Sequence, residues 1–523
     1  MTVILNESGY FPSSSTHKTT LSSNADSRRL KALAYLVPTT KSELGQFMTP
    51  ATIAEFMASM FTDISQPEIA LLDPGAGVGS LTAAFIQRLC SEARPPQRVS
   101  VTAYEIDTHL ADTLRLTLDD CVKVAKDAGI QLTYRLLQRD FIEHASEALE
   151  GGLFVERPTY THVITNPPYK KIQSVSAHRK SLRRAGIEVT NLYAAFVALA
   201  VKLLDINGEL VAITPRSFAN GPYFLPFRRI LLSETSICQI HVLETRDVAF
   251  RDDEVLQENI IYHVSKAVQA PQVVISTSKG SDFQSLNSRQ VHFRDIIHPD
   301  NAELTIHLPV LNEDAEIVRR IKKLTHSLND LGITVSTGPV VEFRLRPFVH
   351  KDVPPSSVPL IYPAHFRKGT VVWPKPNGKK PNSLDDLTAT RKWLLPNGFY
   401  TLTRRFSSKE EKRRIVAAIF DPANVASEWV GFENHLNVFH SKGHGLSALV
   451  ARGLSLYLNS TIVDKFFRLF NGHTQVNATD LRALPYPSQD VLIMLGEKLD
   501  SVELPSQEVI DELVERVVFF QSK

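Results

Sequence analysis

The chain has 523 residues, of which 43% are hydrophobic and 22% charged, with a formal net charge of +2. At roughly 150 residues per domain that length allows about three domains, and the composition excludes wholesale disorder, collagen and a membrane bundle. The longest nearly apolar stretch, from Tyr193, carries Lys202 and falls short of the roughly 20 residues a bilayer span needs, so no membrane partner is expected.

Residues 1–27 are rich in Ser and Thr and lack a basic region followed by an apolar core and cleavage site. They are expected to be a flexible N-terminal segment of a cytoplasmic protein. Cys90, Cys121 and Cys238 have neither redox-pair nor zinc-site spacing, so buried thiols and no metal centre are expected. From residue 28 onward, strands predicted at 69–73, 99–107, 161–166 and 209–215 alternate with helices predicted at 80–92, 108–129 and 191–204. That rhythm predicts a doubly wound α/β sheet whose ligands sit beyond the C-terminal ends of the strands. Further strands at 237–243 and 258–264 carry this domain to residue 310. A helix from Asn312 leads into a second unit over 311–523, rich in Pro and Gly, which closes with helical runs at 446–470 and 501–520.

Between the first strand and helix lies Asp73-Pro74-Gly75-Ala76-Gly77-Val78-Gly79. Its glycines permit a sharp turn and close approach of a ligand to the backbone. Ser80 stands where a dinucleotide fingerprint wants glycine, and the Gly-Lys-Ser/Thr of a P-loop is absent. Glu105, with Asp107 as second candidate, ends the next strand where a carboxylate accepts from a ribose diol. Asp140 follows a strand-like segment and is suited to an exocyclic amine, with Phe141 against an adenine ring. Taken in order, these residues point to a ligand containing a nucleoside.

Asn166-Pro167-Pro168-Tyr169 follows the strand at 161–166 and reaches the same rim. The prolines hold an extended backbone that presents the Asn166 carboxamide and the Pro167 carbonyl as fixed acceptors. Two acceptors holding the hydrogens of an aromatic amine localise the nitrogen lone pair, and Tyr169 supplies a face for the same base.

Together these motifs resemble the S-adenosylmethionine-dependent DNA adenine-N6 methyltransferases, in particular the γ-type amino-methyltransferases of type II restriction-modification systems and their PstI-like group. The resemblance is specific over most of residues 41–220 and more diffuse beyond. It implies a Rossmann-like S-adenosylmethionine-dependent methyltransferase domain over 28–310, with a C-terminal mixed α/β target-recognition domain over 311–523. By that resemblance Gln46, Phe47, Thr49 and Pro50 serve the methionine end of the cofactor. The Asp73–Gly79 loop cradles its backbone, Glu105, Ile106 and Asp107 its ribose, and Asp140 and Phe141 its adenine. Asn166 to Tyr169 receive the target adenine, with Asn191 and Tyr193 as pocket floor and Phe218 as a second aromatic wall.

A target adenine must leave the duplex to reach such a loop. Residues 341–414 carry 16 Lys or Arg against 6 Asp or Glu, a local excess of basic charge suited to phosphate contact. Arg344, Arg346, Arg367, Lys368, Lys375, Lys379, Lys380, Arg404 and Arg405 are the expected DNA contacts. Gln475 and Asn477, in a polar loop resembling segments of C-terminal recognition domains, have amides that suit adenine edges. Double-stranded DNA, a cognate restriction endonuclease as functional counterpart and a monomer or dimer are the expected partners. An RNA base or a glutamine amide as acceptor, or a noncatalytic DNA-binding modification subunit, are the competing readings.

Overall fold

The computed structural model describes residues 20–35, 48–151, 157–243, 258–278, 283, 286–297, 302–407, 410–472, 474–499 and 503–520. The N-terminal part runs α1 (Leu21–Tyr35), α2 (Ala51–Ser59), β1 (Glu68–Pro74), α3 (Ser80–Ser91), β2 (Arg98–Tyr104), α4 (Thr108–Asp127), β3 (Gln131–Leu137) and α5 (Phe141–Glu150). It continues with β4 (Tyr160–Thr165), α6 (Ala177–Arg184), α7 (Leu192–Leu203), β5 (Leu204–Pro215), α8 (Leu225–Glu234), β6 (Ser236–Leu243), β7 (Asn259–Ser265), β8 (Gln272–Ser278) and β9 (Leu286–His292).

These nine strands form one sheet in the order β3-β2-β1-β4-β5-β7-β6-β8-β9. From β3 to β5 all neighbours are parallel, and β7 inserts antiparallel between β5 and β6. Strand order reverses between β1 and β4, so the connections diverge there and open a crevice at the C-terminal edge. Alternation along the strands feeds two cores. Leu72, Val163, Leu210 and Ala212 pack with α5, α7 and α8, while Ile69, Leu71, Ile164, Val211 and Ile213 pack with α1 to α4. The fold is thus the doubly wound α/β architecture the sequence rhythm predicts.

Two expectations need correction here. The N-terminal segment is helical from Leu21 rather than loose through residue 27: Leu21 and Ala25 are buried, and the Ser22 amide donates to Gln87 Oε1 at 3.1 Å. Strands β8 and β9 extend the sheet unforeseen, because β9 is mostly polar and exposed and shows no apolar alternation.

The second unit begins with α9 (Asn312–Ile321), whose Val318 and Ile321 join the C-terminal core. Its strands are β10 (Thr334–Thr337), β11 (Val349–His350), β12 (Ser357–Ile361), β13 (Phe366–Arg367), β14 (Thr370–Val371) and β15 (Ser383–Asp385), followed by β16 (Leu394–Pro396), β17 (Tyr400–Arg404), β18 (Ala417–Phe420), β19 (Trp429–Phe432) and β20 (Leu436–His440). They make a sheet β10-β20-β17-β18-β14-β13 and a smaller one β11-β15-β12-β19-β16. Helices α10 (Ala448–Leu458), α11 (Thr461–Phe470), α12 (Ala478–Arg482), α13 (Gln489–Gly496) and α14 (Gln507–Val514) complete a mixed α/β unit. The single helix expected over 446–470 is two. Asn459 breaks it by taking both backbone groups of Ala417, donating to its carbonyl at 3.0 Å and accepting from its amide at 3.1 Å.

The units are joined by buried polar contacts. Arg216, directly after β5, donates to the carbonyl of Arg468 at 2.9 Å, near the end of α11, and lies 3.3 Å from Glu258 Oε2. Asn220 Nδ2 donates to Asp480 Oδ1 at 3.0 Å. Among the described residues no helix is long and apolar enough to cross a membrane.

Candidate active site and interdomain cleft

The crevice at the strand-order reversal holds a cavity of about 210 Å³. The loop after β1 forms one wall. Gly77 (φ +57) lies in left-handed backbone with no atom within 4 Å of where a Cβ would stand, so the chain is bare toward the cavity. Gly79 (φ +87) instead meets α4: a Cβ would sit 2.8 Å from Leu114 Cδ1. The amide of Gly77 donates to Glu105 Oε2 and that of Asp107 to Glu105 Oε1, both at 2.9 Å. These bonds fix the Glu105 carboxylate at the cavity. Burial outweighs them and raises its pKa.

Asp140 lines the same cavity and caps α5, its Oδ1 accepting from the Glu143 amide at 3.0 Å. Its Oδ2 faces His178 Nε2 at 2.9 Å. Burial pushes the Asp140 pKa up, but the hydrogen bonds from His178 and Glu143 outweigh it and the net shift is downward; the same bond raises His178. Asn166 and Pro168 close the far end, where Asn166 Nδ2 donates to Thr49 Oγ1 at 3.0 Å.

Of the expected cofactor residues, Thr49, Gly75, Ala76, Gly77, Glu105, Ile106, Asp140 and Phe141 line this cavity. Gln46 and Phe47 lie outside the described residues. The others stand behind its walls. Asp73 is fully buried and accepts from Thr82 Oγ1 at 2.6 Å; Pro74 receives the Thr165 hydroxyl; Pro50 begins α2; Gly79 begins α3; Asp107 caps α4 through the Leu110 amide. They hold the turns because each sits one step before a helix or within a strand. Sequence reasoning missed Met48, Arg139, His178 and Phe196 as lining residues. Phe196 sits in the apolar run of α7, and His178 on a short basic helix whose place beside Asp140 only the tertiary fold sets.

A second cavity, about 1010 Å³, lies between the units. Lys171, Asn191, Pro215, Ser217 and Tyr223 line it from the first, and Arg405, Thr474, Gln475, Asn477 and Arg482 from the second. The Asn-Pro-Pro-Tyr loop therefore runs from one cavity toward the other: Asn166 and Pro168 border the first, Lys171 and Ile172 the second. Pro167 is buried beneath it. The Tyr169 hydroxyl donates to the Ile213 carbonyl at 3.3 Å, and its ring meets Tyr193 edge-on.

Phe218 is not a pocket wall. It is 2% exposed, packed edge-on with Phe227 and against Tyr262, because the turn after β5 points it into the sheet core. Tyr193 is likewise buried, its hydroxyl 2.9 Å from Ser217 Oγ. Among the expected DNA contacts, Lys368, Lys380 and Arg404 form ion pairs with Glu503, Glu342 and Glu411, and Lys375 donates to the Ala364 carbonyl. Arg344 lies over Phe343 and Arg405 over Phe406. Asn477 precedes α12, and both its backbone and side-chain nitrogens face Asp480 Oδ2.

Residues 104–249 match the family model described as Eco57I restriction-modification methylase. Type II methyltransferase M.BsuBI of Bacillus subtilis is 47% identical over 482 residues, covering 91% of this chain and 94% of that protein. The chain belongs to the type II methyltransferases. Type II methyltransferase M.PstI of Providencia stuartii is 44% identical, over 94% of this chain and 96% of its own. The family membership that the motifs suggest is therefore established, and with it a DNA methyltransferase activity. The fold extends further: the type IIL restriction-modification enzyme MmeI, solved in complex with DNA, superposes with a TM-score of 0.54 at 11% identity, covering 97% of this chain and 76% of that one. In this type II methyltransferase the match spans both units, so both cavities lie within the shared architecture.

Proposed function

We propose that this methyltransferase transfers a methyl group from S-adenosylmethionine to N6 of an adenine rotated out of a specific duplex sequence, protecting DNA against a cognate restriction endonuclease. The observation that carries the reading is the Asn166–Tyr169 loop lying between the small cavity at the strand-order reversal and the larger interdomain cleft. The smaller cavity suits the cofactor: a bare glycine backbone, the oriented Glu105 carboxylate for a ribose diol, Asp140 for an adenine amine, and Ile106 and Phe141 for the ring faces. Thr49, with Gln46 and Phe47, serves the methionine end. When bound, S-adenosylmethionine supplies an electrophilic methyl on a sulfonium.

The chain's own groups prepare the acceptor. Donation from Asn166 Nδ2 to Thr49 orients the carboxamide, which supports a role for its oxygen as an acceptor of the target amine. That oxygen and the Pro167 carbonyl accept the two N6 hydrogens and localise the nitrogen lone pair for in-line attack; the proton is lost afterwards. Tyr169 and Pro168 border the base, and no covalent bond to the enzyme is needed. The cleft takes the duplex, with Arg405, Arg482 and Lys171 near its phosphates and Gln475 near base edges.

Incubation with labelled cofactor and unmodified duplex DNA is expected to place label on adenine N6. Label on cytosine, RNA or protein alone contradicts the assignment. Asn166→Ala is expected to lower the methylation rate by roughly a hundredfold or more while cofactor binding, read by calorimetry, stays within a few-fold.

A further inference from the structure

Tyr223 has no role in the chemistry above, yet its setting is unusual. The residue is 75% exposed, while the chain on either side is pinned. Gly221 (φ +79) and Pro222 set a short turn. After it, Phe224 stacks on Tyr193 with centroids 5.6 Å apart and planes 24° from parallel, and Tyr193 meets Tyr169 of the catalytic loop at 6.1 Å. Before it, Asn220 is bonded to Asp480, and Arg228 donates to the Phe218 and Gly221 carbonyls at 2.8 and 2.9 Å. A large aromatic side chain thus stands in water on a rigid pedestal, at the wall of the cleft that also holds Lys171 and Arg405. The ordering cost of presenting its backbone is met before any partner arrives.

Rotating an adenine out of a duplex leaves a gap between two base pairs and an orphaned opposite base. An aromatic face stacks in such a gap whatever the sequence, and protein wedges inserted at base steps act this way. We propose that Tyr223 enters the DNA stack at the vacancy and keeps the adenine out while the catalytic loop holds it. This rests on the reading that the substrate is a duplex adenine. Tyr223 is a positioning residue: it touches the DNA beside the target and takes no part in methyl transfer. Because its pedestal leans on Tyr193, which also contacts Tyr169, one group of rings sets the spacing between wedge and acceptor loop.

The test starts from the methylated adenine mapped by sequencing plasmid DNA from cells expressing the full chain. Two duplexes carrying that site are made, one with thymine and one with an abasic residue opposite the target. On the paired duplex, Tyr223→Ala is expected to slow single-turnover methylation by about tenfold or more, the worth of one lost stack, with Tyr223→Phe retaining the rate. On the abasic duplex, where the target leaves the stack readily, Tyr223→Ala is expected to approach the wild-type rate. An unaffected rate on the paired duplex, an equal defect on both, or an equal loss in Tyr223→Phe (a hydroxyl contact to phosphate) overturns the proposal. Absence of adenine methylation by the wild-type chain instead overturns the underlying reading, before any variant is compared.

Discussion

Asp73 shows how much of the cofactor loop is decided underneath it. Fully buried beneath the glycines, it anchors α3 through the Thr82 hydroxyl, and burial raises its pKa from 3.8 to about 7. An acid whose folded pKa lies above its unfolded value stabilises most when both states are protonated. Below about pH 4 that contribution is whole; as pH rises toward 7 the unfolded chain ionises while the folded one keeps its proton, and stability is lost. The difference in unfolding free energy between wild type and Asp73→Asn is expected to fall through that window, at up to about 1.4 kcal/mol per pH unit, and to level off above it. Denaturant titrations at several pH values measure it; a pH-independent difference would contradict a buried ionisable role. Glu105 is raised for the same reason, so its use as an acceptor weakens as the medium is acidified.

At the level of elements, two helices of the C-terminal unit, α10 and α13, cross in close contact. A Cβ on Gly453 would overlap the Leu492 carbonyl, and one on Gly496 the Leu449 carbonyl. The backbones touch, with no space for a side chain. Gly453→Ala is expected to destabilise the protein by roughly 1–3 kcal/mol despite its better helix propensity, read as a lower thermal midpoint. No pattern in the sequence announces this crossing, since isolated glycines in helical runs are read only as mild weaknesses. The parallel strands were legible because each is a short apolar run ending in the polar or glycine residues that line the crevice. Helix ends were misjudged where a distant backbone competes for the chain, as Ala417 does for Asn459. In the site, Glu105 and Asp140 could be found because strand ends place them. His178 and Phe196 reach the cavity only through the packing of α6 and α7, and Phe218 was misplaced because one turn of backbone decides between pocket and core.

At the scale of the whole molecule, the two units share buried hydrogen bonds among the described residues. Asp480 accepts from Asn220 of the first unit and from Asn471 of the second, whose oxygen in turn receives Arg414 at 2.8 Å. Buried charge-assisted bonds of this kind are worth about 1.5–3 kcal/mol each. The wild-type chain is therefore expected to unfold in one calorimetric transition, and Asp480→Ala in two resolved ones; a single, merely lowered transition would show that the units are held together elsewhere.

The turn after β5 carries a further consequence for exchange of the second unit between related chains. Arg216 and Asn220 are matched by groups at 468–480, far along the chain from the boundary near residue 311. A crossover at that boundary delivers a foreign second unit together with its own half of the fitting, while the recipient keeps the other half. Second units are therefore interchangeable only between chains that preserve both halves of this seam, a constraint set by packing between the units.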